Sequence, residues 1–392
     1  MSLLAPERFS ATYRLRADRG DIQARAQALA LEQSIEMPLE AVTQDFVRDR
    51  VAARVARVEP AQDGGAGGFD VTLSFATATT GLEAGQLMNV LFGNCSLQPD
   101  VQLIAFEPDA ALLAALPGPR FGIDGWRRAL GLRGAPARAL TCTALKPVGL
   151  SPKQLAELAG TFAAAGIDVI KDDHGIADQD YARFEARVAV VQGAIERAAA
   201  ARKPGEGRPL YAPTLSGGPQ RLREQLRVVR DQGVGAVLVC PMLIGVPAMV
   251  ELVREEAGVP ILAHPALAGS LRIAPDLMLG RLFRLFGADA TIFPNFGGRF
   301  SYDRATCRAI AQRAREPLGG ALAILPVPAG GMGTERVDEM HHEFGTDAML
   351  LIGGYLLAGA TVAGDSVLSR ATAFVERVRN AAARAPQPGP PR

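Results

Sequence analysis

The chain has 392 residues, 48% of them hydrophobic, which exceeds one average domain and can bury a sizeable core. Its 42 Lys and Arg balance 41 Asp and Glu, so the charge offers nothing to nucleic acid or to an anionic membrane surface and leaves a small-molecule substrate as the expectation. No basic region leads into an apolar stretch at the N-terminus and no run of about 18 apolar residues occurs, which predicts a cytoplasmic protein without a membrane span.

The first third reads as mixed α and β. An alternating strand is predicted over 9–16, a helix over 21–34, strands over 54–58 and 71–76, and a second helix after them. DGGAGG at 63–68 reads as a turn between two strands, because no helix follows it as a nucleotide loop requires. A Gly-, Pro- and Arg-rich region over 117–134 separates this part from a different pattern, so an N-terminal domain over 1–133 is expected.

From Ala139 onward, eight short apolar runs alternate with helical periodicity: ALTCTAL, DVIKD, PLYAPTL, AVLVCPM, PILAHPA, ATIFPN, LAILPV and AMLLIGG. The helix over 151–166 starts on Ser151-Pro152 and shows Leu155, Leu158 and Phe162 on one face; that over 181–202 shows Phe184, Val188, Val191 and Ile195. Near-continuous apolar strands between amphipathic helices require a parallel sheet covered by helices, and eight of them close a (β/α)₈ barrel, here over 134–382. An open doubly wound sheet is the alternative, weakened by the absence of GxGxxG after any strand. The last ten residues, 383–392, form a polar, proline-rich tail expected to be disordered. Cys95, Cys142, Cys240 and Cys307 lack CxxC spacing and read as buried small hydrophobes.

In such barrels chemistry sits where strands end. Lys171, Asp172, Asp173 and His174 follow the second apolar run directly, and carboxylates there suit a hard cation such as Mg²⁺. Lys146 ends the first strand before Pro147, positioned to exchange a proton beside a metal. His264 lies inside an apolar strand and needs a partner, whereas His341 and His342 in DEMHHEFG read as a solvated helix face. Gly330-Gly331 and Gly353-Gly354 end the seventh and eighth strands, where exposed backbone N–H groups can hold a phosphate. Asn295 ends the sixth.

These residues carry a resemblance to the large subunit of ribulose-bisphosphate carboxylase, and more closely to its non-carboxylating Rubisco-like relatives. CTALKPVGLS, GIDVIKDDHG, LAHPALAG, LPVPAGGMG and LLIGG match in the family's order, with ALALEQS and LFGN ahead of them. The resemblance implies a ferredoxin-like α+β N-terminal domain, an α/β TIM barrel, and a homodimer in which Glu32 and Asn94 reach the other subunit's site. It also implies that Lys171 becomes a carbamate formed from CO2 and holds one Mg²⁺ per subunit with Asp173. Lys146 would move protons to and from an enediolate, with His264 beside the substrate, and the late glycines would hold one phosphate.

Several positions depart from the carboxylase pattern. His174 stands where the family has a glutamate, Val148 where carboxylases carry a second lysine, and Arg299 near the place of the lysine that grips carbon dioxide. Ala329 replaces a serine, Met37-Pro38 a threonine-tryptophan pair, and Ile292 and Phe293 a phosphate-binding histidine. Carbon dioxide fixation is therefore not expected. Enolate chemistry on a phosphorylated keto-sugar or sugar acid is, with decarboxylation of 3-oxo-isoapionate 4-phosphate preferred from the KDDH and HPALAG forms of the motifs. The alternatives are tautomerisation of a diketo methylthiopentyl phosphate, isomerisation of methylthioribulose phosphate, and a non-catalytic sugar-phosphate-binding barrel.

Overall fold

The computed structural model describes residues 7–16, 21–61, 68–116, 118–132, 134–135, 137–202, 206–300, 302–358 and 365–384. The DGGAGG turn, apart from Gly68, and the tail from 385 lie outside the described residues.

Alternation of apolar and polar residues builds the N-terminal sheet. Strand β1 (Arg8–Arg16) buries Phe9, Ala11, Tyr13 and Leu15 and leaves the residues between them on the other face. It pairs antiparallel with β3 (Gly68–Ala76), which buries Phe69, Val71, Leu73 and Phe75 in the same manner, and with β4 (Val101–Glu107). Strand β2 (Arg54–Pro60) pairs with β3, giving the order β2-β3-β1-β4. Helices Ile22–Glu32 and Ala84–Phe92 are the two crossovers, so the chain runs β-α-β-β-α-β as a ferredoxin-like unit. Tyr13, wholly buried, donates its hydroxyl to the carbonyl of Leu91 at 2.8 Å and ties the second helix to the sheet.

The eight apolar runs all become strands: β5 (Leu140–Leu145), β6 (Val169–Asp172), β7 (Leu210–Ala212) with β8 (Thr214–Leu215), β9 (Val237–Val239), β10 (Ile261–Ala263), β11 (Ala290–Pro294), β12 (Leu325–Ala329) and β13 (Met349–Leu351). Every ladder among them is parallel, in the orders β13-β5-β6-β7 and β8-β9-β10-β11-β12. Pro213 has no N–H to donate and splits the third run in two, although its carbonyl still accepts from Leu238 N at 2.9 Å. LAILPV enters its strand only at Leu325, because the Ala323 carbonyl accepts from Ile123 N and holds the preceding residues to the barrel bottom.

The pleat divides the core. Leu140, Cys142, Val169, Leu210, Leu238, Leu262, Ala290, Val327 and Met349 fill the barrel interior, while Ile170, Tyr211, Val237, Val239 and Ile261 face the helices. The bottom is plugged by Trp126 of helix Gly122–Ala129, which packs with the interior set. Asp289 holds that helix, accepting from Phe121 N and Gly122 N through Oδ1 and from Ile261 N through Oδ2 at 2.7–2.9 Å. We propose on this ground that the domain boundary, expected at 133, falls ahead of this helix.

Helix Pro152–Ala164 opens with Ser151 and Gln154 in a reciprocal cap, as the Ser-Pro start predicts. The N-terminal sheet docks on the barrel through its edge: Leu103 N donates to Arg272 O and Ala274 N to Leu103 O, and Arg281 reaches the Phe106 carbonyl. All four cysteines are buried and unpaired. His341 corrects the reading of a solvated face, since it packs inward from helix Val337–Phe344 while His342 stays outside. Among the described residues no helix is long and apolar enough to cross a membrane.

Candidate functional site

On β6 the side-chain period of two separates groups that are adjacent in sequence. Lys171 points into the barrel mouth and Asp172 points outward to the helix layer. There Asp172 meets Arg187 of helix Phe184–Ala200 at 3.2 Å, accepts from the Tyr211 hydroxyl at 2.7 Å and from Thr214 N at 3.1 Å. Both members of this pair are fully buried. Of the four ionisable groups expected at the mouth, Asp172 is therefore a packing anchor, and only Lys171, Asp173 and His174 face the cavity.

That cavity holds about 490 Å³ at the C-terminal ends of the strands. Ten of the candidate site residues line it: Lys146, Lys171, Asp173, His174, His264, Arg299, Gly330, Gly331, Gly353 and Gly354. Lys146 Nζ is 2.7 Å from Asp173 Oδ1, and His174 Nδ1 faces the same oxygen at 3.6 Å. Burial works against the charge of Asp173, but the neighbouring His174 and Lys146, together with Lys171, outweigh it and hold the carboxyl well below the usual carboxylate range.

Lys171 donates to the carbonyl of Asp172 at 2.7 Å and is buried. That burial lowers its pKa, as does the charge of Lys146, against the pull of Cys142 and Asp173. The shift makes that proton easier to lose. His264 is not inside its strand, as the sequence reading had it; β10 ends at Ala263 and the imidazole stands at the rim. Its Nδ1 accepts from Ala266 N at 3.1 Å, which leaves the ring proton on Nε2. Burial, then the charges of Lys171 and His174, push its pKa down to about 2, so the ring is neutral. The rings of His174 and His264 stack with centroids 4.0 Å apart and planes 12° apart.

The opposite wall is built by glycine. Gly330 and Gly331 take φ of +94° and +84°, a region open to glycine but strained for other residues. A Cβ on Gly330 would stand 3.0 Å from the Phe300 ring, and one on Gly331 would stand 2.6 Å from Arg299 Cγ. The segment after β11 thus lies directly on the pair, with Arg299 N donating to Gly330 O at 2.9 Å. Between these polar ends runs an apolar wall of Pro265, Ala266, Ala268, Ile292, Phe293 and Leu351. Of this wall only Ile292 and Phe293 stand out in the sequence, as departures from the carboxylase pattern, although HPALAG spells half of it. Phe300 and Tyr302, also lining the cavity, gave no sequence signal.

Of the residues expected at this chain's own mouth, one is not brought to it. Asn295 is wholly buried beside it, donating to Met332 Sδ at 3.7 Å, with its Oδ1 unpartnered. Glu32 and Asn94 lie in the N-terminal domain, where Asn94 Nδ2 donates to Glu32 Oε1 at 3.0 Å across a separate polar pocket of about 100 Å³.

Among the described residues no three His, Cys, Asp or Glu side chains converge as a metal site. Asp173 and His174 provide two donors. Lys171, buried and with its pKa lowered, could provide the third once carbamylated, because a carbamate presents oxygen where an ammonium presents a cation. The residues present fit a divalent cation on that condition.

The match to known proteins is extensive. Residues 122–379 match the family model described as ribulose bisphosphate carboxylase large chain, catalytic domain. A ribulose bisphosphate carboxylase-like protein 1 of Rhodopseudomonas palustris is 49% identical over 95% of this chain and 98% of its own. A 5-methylthioribulose-1-phosphate isomerase of Rhodospirillum rubrum is 47% identical over 96% and 98%. The crystal structure of a Rubisco-like protein from Rhodopseudomonas palustris superposes with a TM-score of 0.85 at 47% identity, covering 96% of this chain and 98% of that one. The chain belongs to the ribulose bisphosphate carboxylase large-chain family, among its non-carboxylating form IV Rubisco-like members.

Proposed function

We propose that the protein isomerises a phosphorylated methylthio-ketose of the 5-methylthioribulose 1-phosphate type by proton transfer through an enediolate. The observation that carries this reading is the make-up of the cavity: the glycine pairs with Arg299, and the uncharged apolar wall that runs from them to the charged groups of the mouth. A phosphate suits the first and a thioether tail the second, since burying an apolar group is favourable at about 25 cal/mol per Å². A second phosphate or a carboxylate on the apolar side would lose its hydration without a cation to replace it. The 47% identity to a relative named for this isomerisation supports the same substrate class.

In the proposed reaction Gly330, Gly331, Gly353, Gly354 and Arg299 hold the phosphate and fix the sugar across the mouth. After its ammonium gives a proton to solvent, the Lys146 amine takes a proton from the carbon beside the carbonyl, the C–H electron pair becomes a C=C bond, and the carbonyl π pair moves onto oxygen. The proton returns to the former carbonyl carbon while the neighbouring hydroxyl passes its own to the former carbonyl oxygen and becomes the new carbonyl, so the reaction needs no co-reactant. His264 donates Nε2–H to a substrate oxygen and remains neutral throughout. Asp173 positions Lys146 through their ion pair. A divalent cation, Mg²⁺ in the family at large, held by Asp173, His174 and carbamylated Lys171, would withdraw electron density from the substrate carbonyl. A homodimer would complete the mouth with Glu32 and Asn94 of the partner subunit.

The test is incubation with 5-methylthioribulose 1-phosphate in D₂O, followed by NMR. Formation of an isomer carrying deuterium at the former carbonyl carbon is expected. Carbon dioxide release from 3-oxo-isoapionate 4-phosphate, or the ultraviolet absorbance of an enol from a diketo methylthiopentyl phosphate, without that isomerisation would replace this reading with the corresponding alternative. Replacing Lys171 with Ala should abolish turnover; retained phosphate-ester binding with no turnover in the wild type would indicate a binding module.

A further inference from the structure

We infer that Arg336, which lies outside the cavity lining, is a positioning residue for anion binding: it holds the segment that carries Arg299 in register with the Gly330-Gly331 pair. The inference rests on the reading that this pair and Arg299 hold the substrate's phosphate, and deepens it by naming what aims Arg299.

The segment over 295–300 leaves β11 and lies on the end of β12. Asn295 N donates to Ala329 O at 2.8 Å and Arg299 N to Gly330 O at 2.9 Å, and a Cβ on Gly298 would collide with that same Gly330 oxygen. The base of the segment is buried at Asn295 and Phe296, whereas Arg299 and Phe300 beyond it are exposed. An exposed arginine on an exposed backbone has many conformations to lose when it meets an anion. Whatever fixes its backbone in advance therefore strengthens the grip.

Arg336 supplies that restraint from behind. It ends the turn Thr334–Arg336 that follows the glycine pair, and its guanidinium reaches back to the segment after β11, where Nη1 donates to Phe296 O at 2.8 Å. Nε and Nη2 both donate to Glu339 Oε2, at 2.9 and 2.7 Å, so the planar fork ties that carbonyl to helix Val337–Phe344. Arg304 adds a second hold on the same base. Its guanidinium lies 4.1 Å from the Phe296 ring centroid and that of Arg336 5.1 Å, and Arg304 Nη2 donates to the other Glu339 oxygen. Gly297 makes the approach possible, since a Cβ there would stand 2.8 Å from Arg336 Nη1. One side chain thus joins the two loops from which the proposed phosphate grip is built. A lysine could keep the charge but could not reach the carbonyl and the carboxylate with a rigid fork.

The experiment is calorimetry on the full-length protein with inorganic phosphate as the probe. Arg336→Met should weaken phosphate binding by about tenfold, the scale of ordering one residue of backbone anew. Arg336→Lys should weaken it in the same direction, and decides the matter if Arg336→Met does not fold. Arg299→Met should weaken it too, and adding Arg336→Met to that variant should cost little more, because a residue that acts through another has nothing left to aim once the other is gone. Two independent losses would instead add. Undiminished phosphate affinity in a folded Arg336 variant, or additive losses in the double variant, would overturn the inference while leaving the phosphate reading in place. Absence of phosphate binding in the wild type, or an Arg299→Met variant that binds it as tightly, would overturn the phosphate reading and the inference with it.

Discussion

The Lys146 ammonium and the Asp173 carboxylate meet at 2.7 Å across the ends of β5 and β6, joining the two strands over the cavity floor. One partner is the proposed proton carrier and the other the group that aims it. Lys146→Met keeps the length of the side chain and removes the amine. Turnover should fall about 10²- to 10⁴-fold, the range for loss of a positioned acid-base group, with substrate affinity little changed. Steady-state kinetics checks this, and an unchanged kcat would remove Lys146 from the mechanism.

The glycine wall predicts a different signature. In Gly331→Ala the added methyl meets Arg299 Cγ at 2.6 Å on a backbone with φ of +84°, so the segment carrying Arg299 must shift. The phosphate grip should loosen, raising KM by about tenfold or more while the protein stays folded. Inorganic phosphate should show the same weakening as a competitive inhibitor.

Trp126 closes the bottom of the barrel and is wholly buried. Trp126→Ala should cost about 3–5 kcal/mol of stability, measured by denaturant unfolding. Because the site lies at the opposite end, residual activity per folded molecule should be nearly unchanged. A loss below 1 kcal/mol would show that the helix carrying Trp126 does not seal the core.

Asp289 gives a pH dependence with a definite sign. Burial raises its pKa from 3.8 to about 6, against the pull of the three backbone N–H groups it accepts from. The folded state thus binds this proton more tightly than the unfolded state does. The group's contribution is fully present below about pH 3.8 and is lost as pH rises through about 6, a change of about 3 kcal/mol at most. Asp289→Asn removes the titration and places an amide against Ile261 N, destabilising the fold by about 1–3 kcal/mol at low pH. The stability gap between wild type and variant should narrow from pH 4 to pH 7, as chemical denaturation at each pH would show; a gap that widens would reverse the assignment.

Much of the architecture is legible in the sequence. Parallel strands buried on both faces must be apolar, so runs such as ALTCTAL and ATIFPN announced themselves, and the helices between them were marked by Leu155, Phe162, Val188 and Ile195, all of which pack. The mouth residues were readable because a barrel exposes only its strand ends. Even the opposite roles of Lys171 and Asp172 follow from the period of the pleat, although the run KDDH invited reading them as one cluster.

What the chain by itself determined is the set of elements and the residues that stand at their ends, because periodicity and turn chemistry act within a few residues. Only the tertiary structure decided which of those ends meet. The stack of His174 on His264, the burial of Arg187 against Asp172, the inward packing of His341 and the apolar wall from Pro265 to Leu351 all join strands or helices far apart in sequence. Such contacts depend on how the barrel closes, and no local pattern of residues encodes the partner that closure delivers.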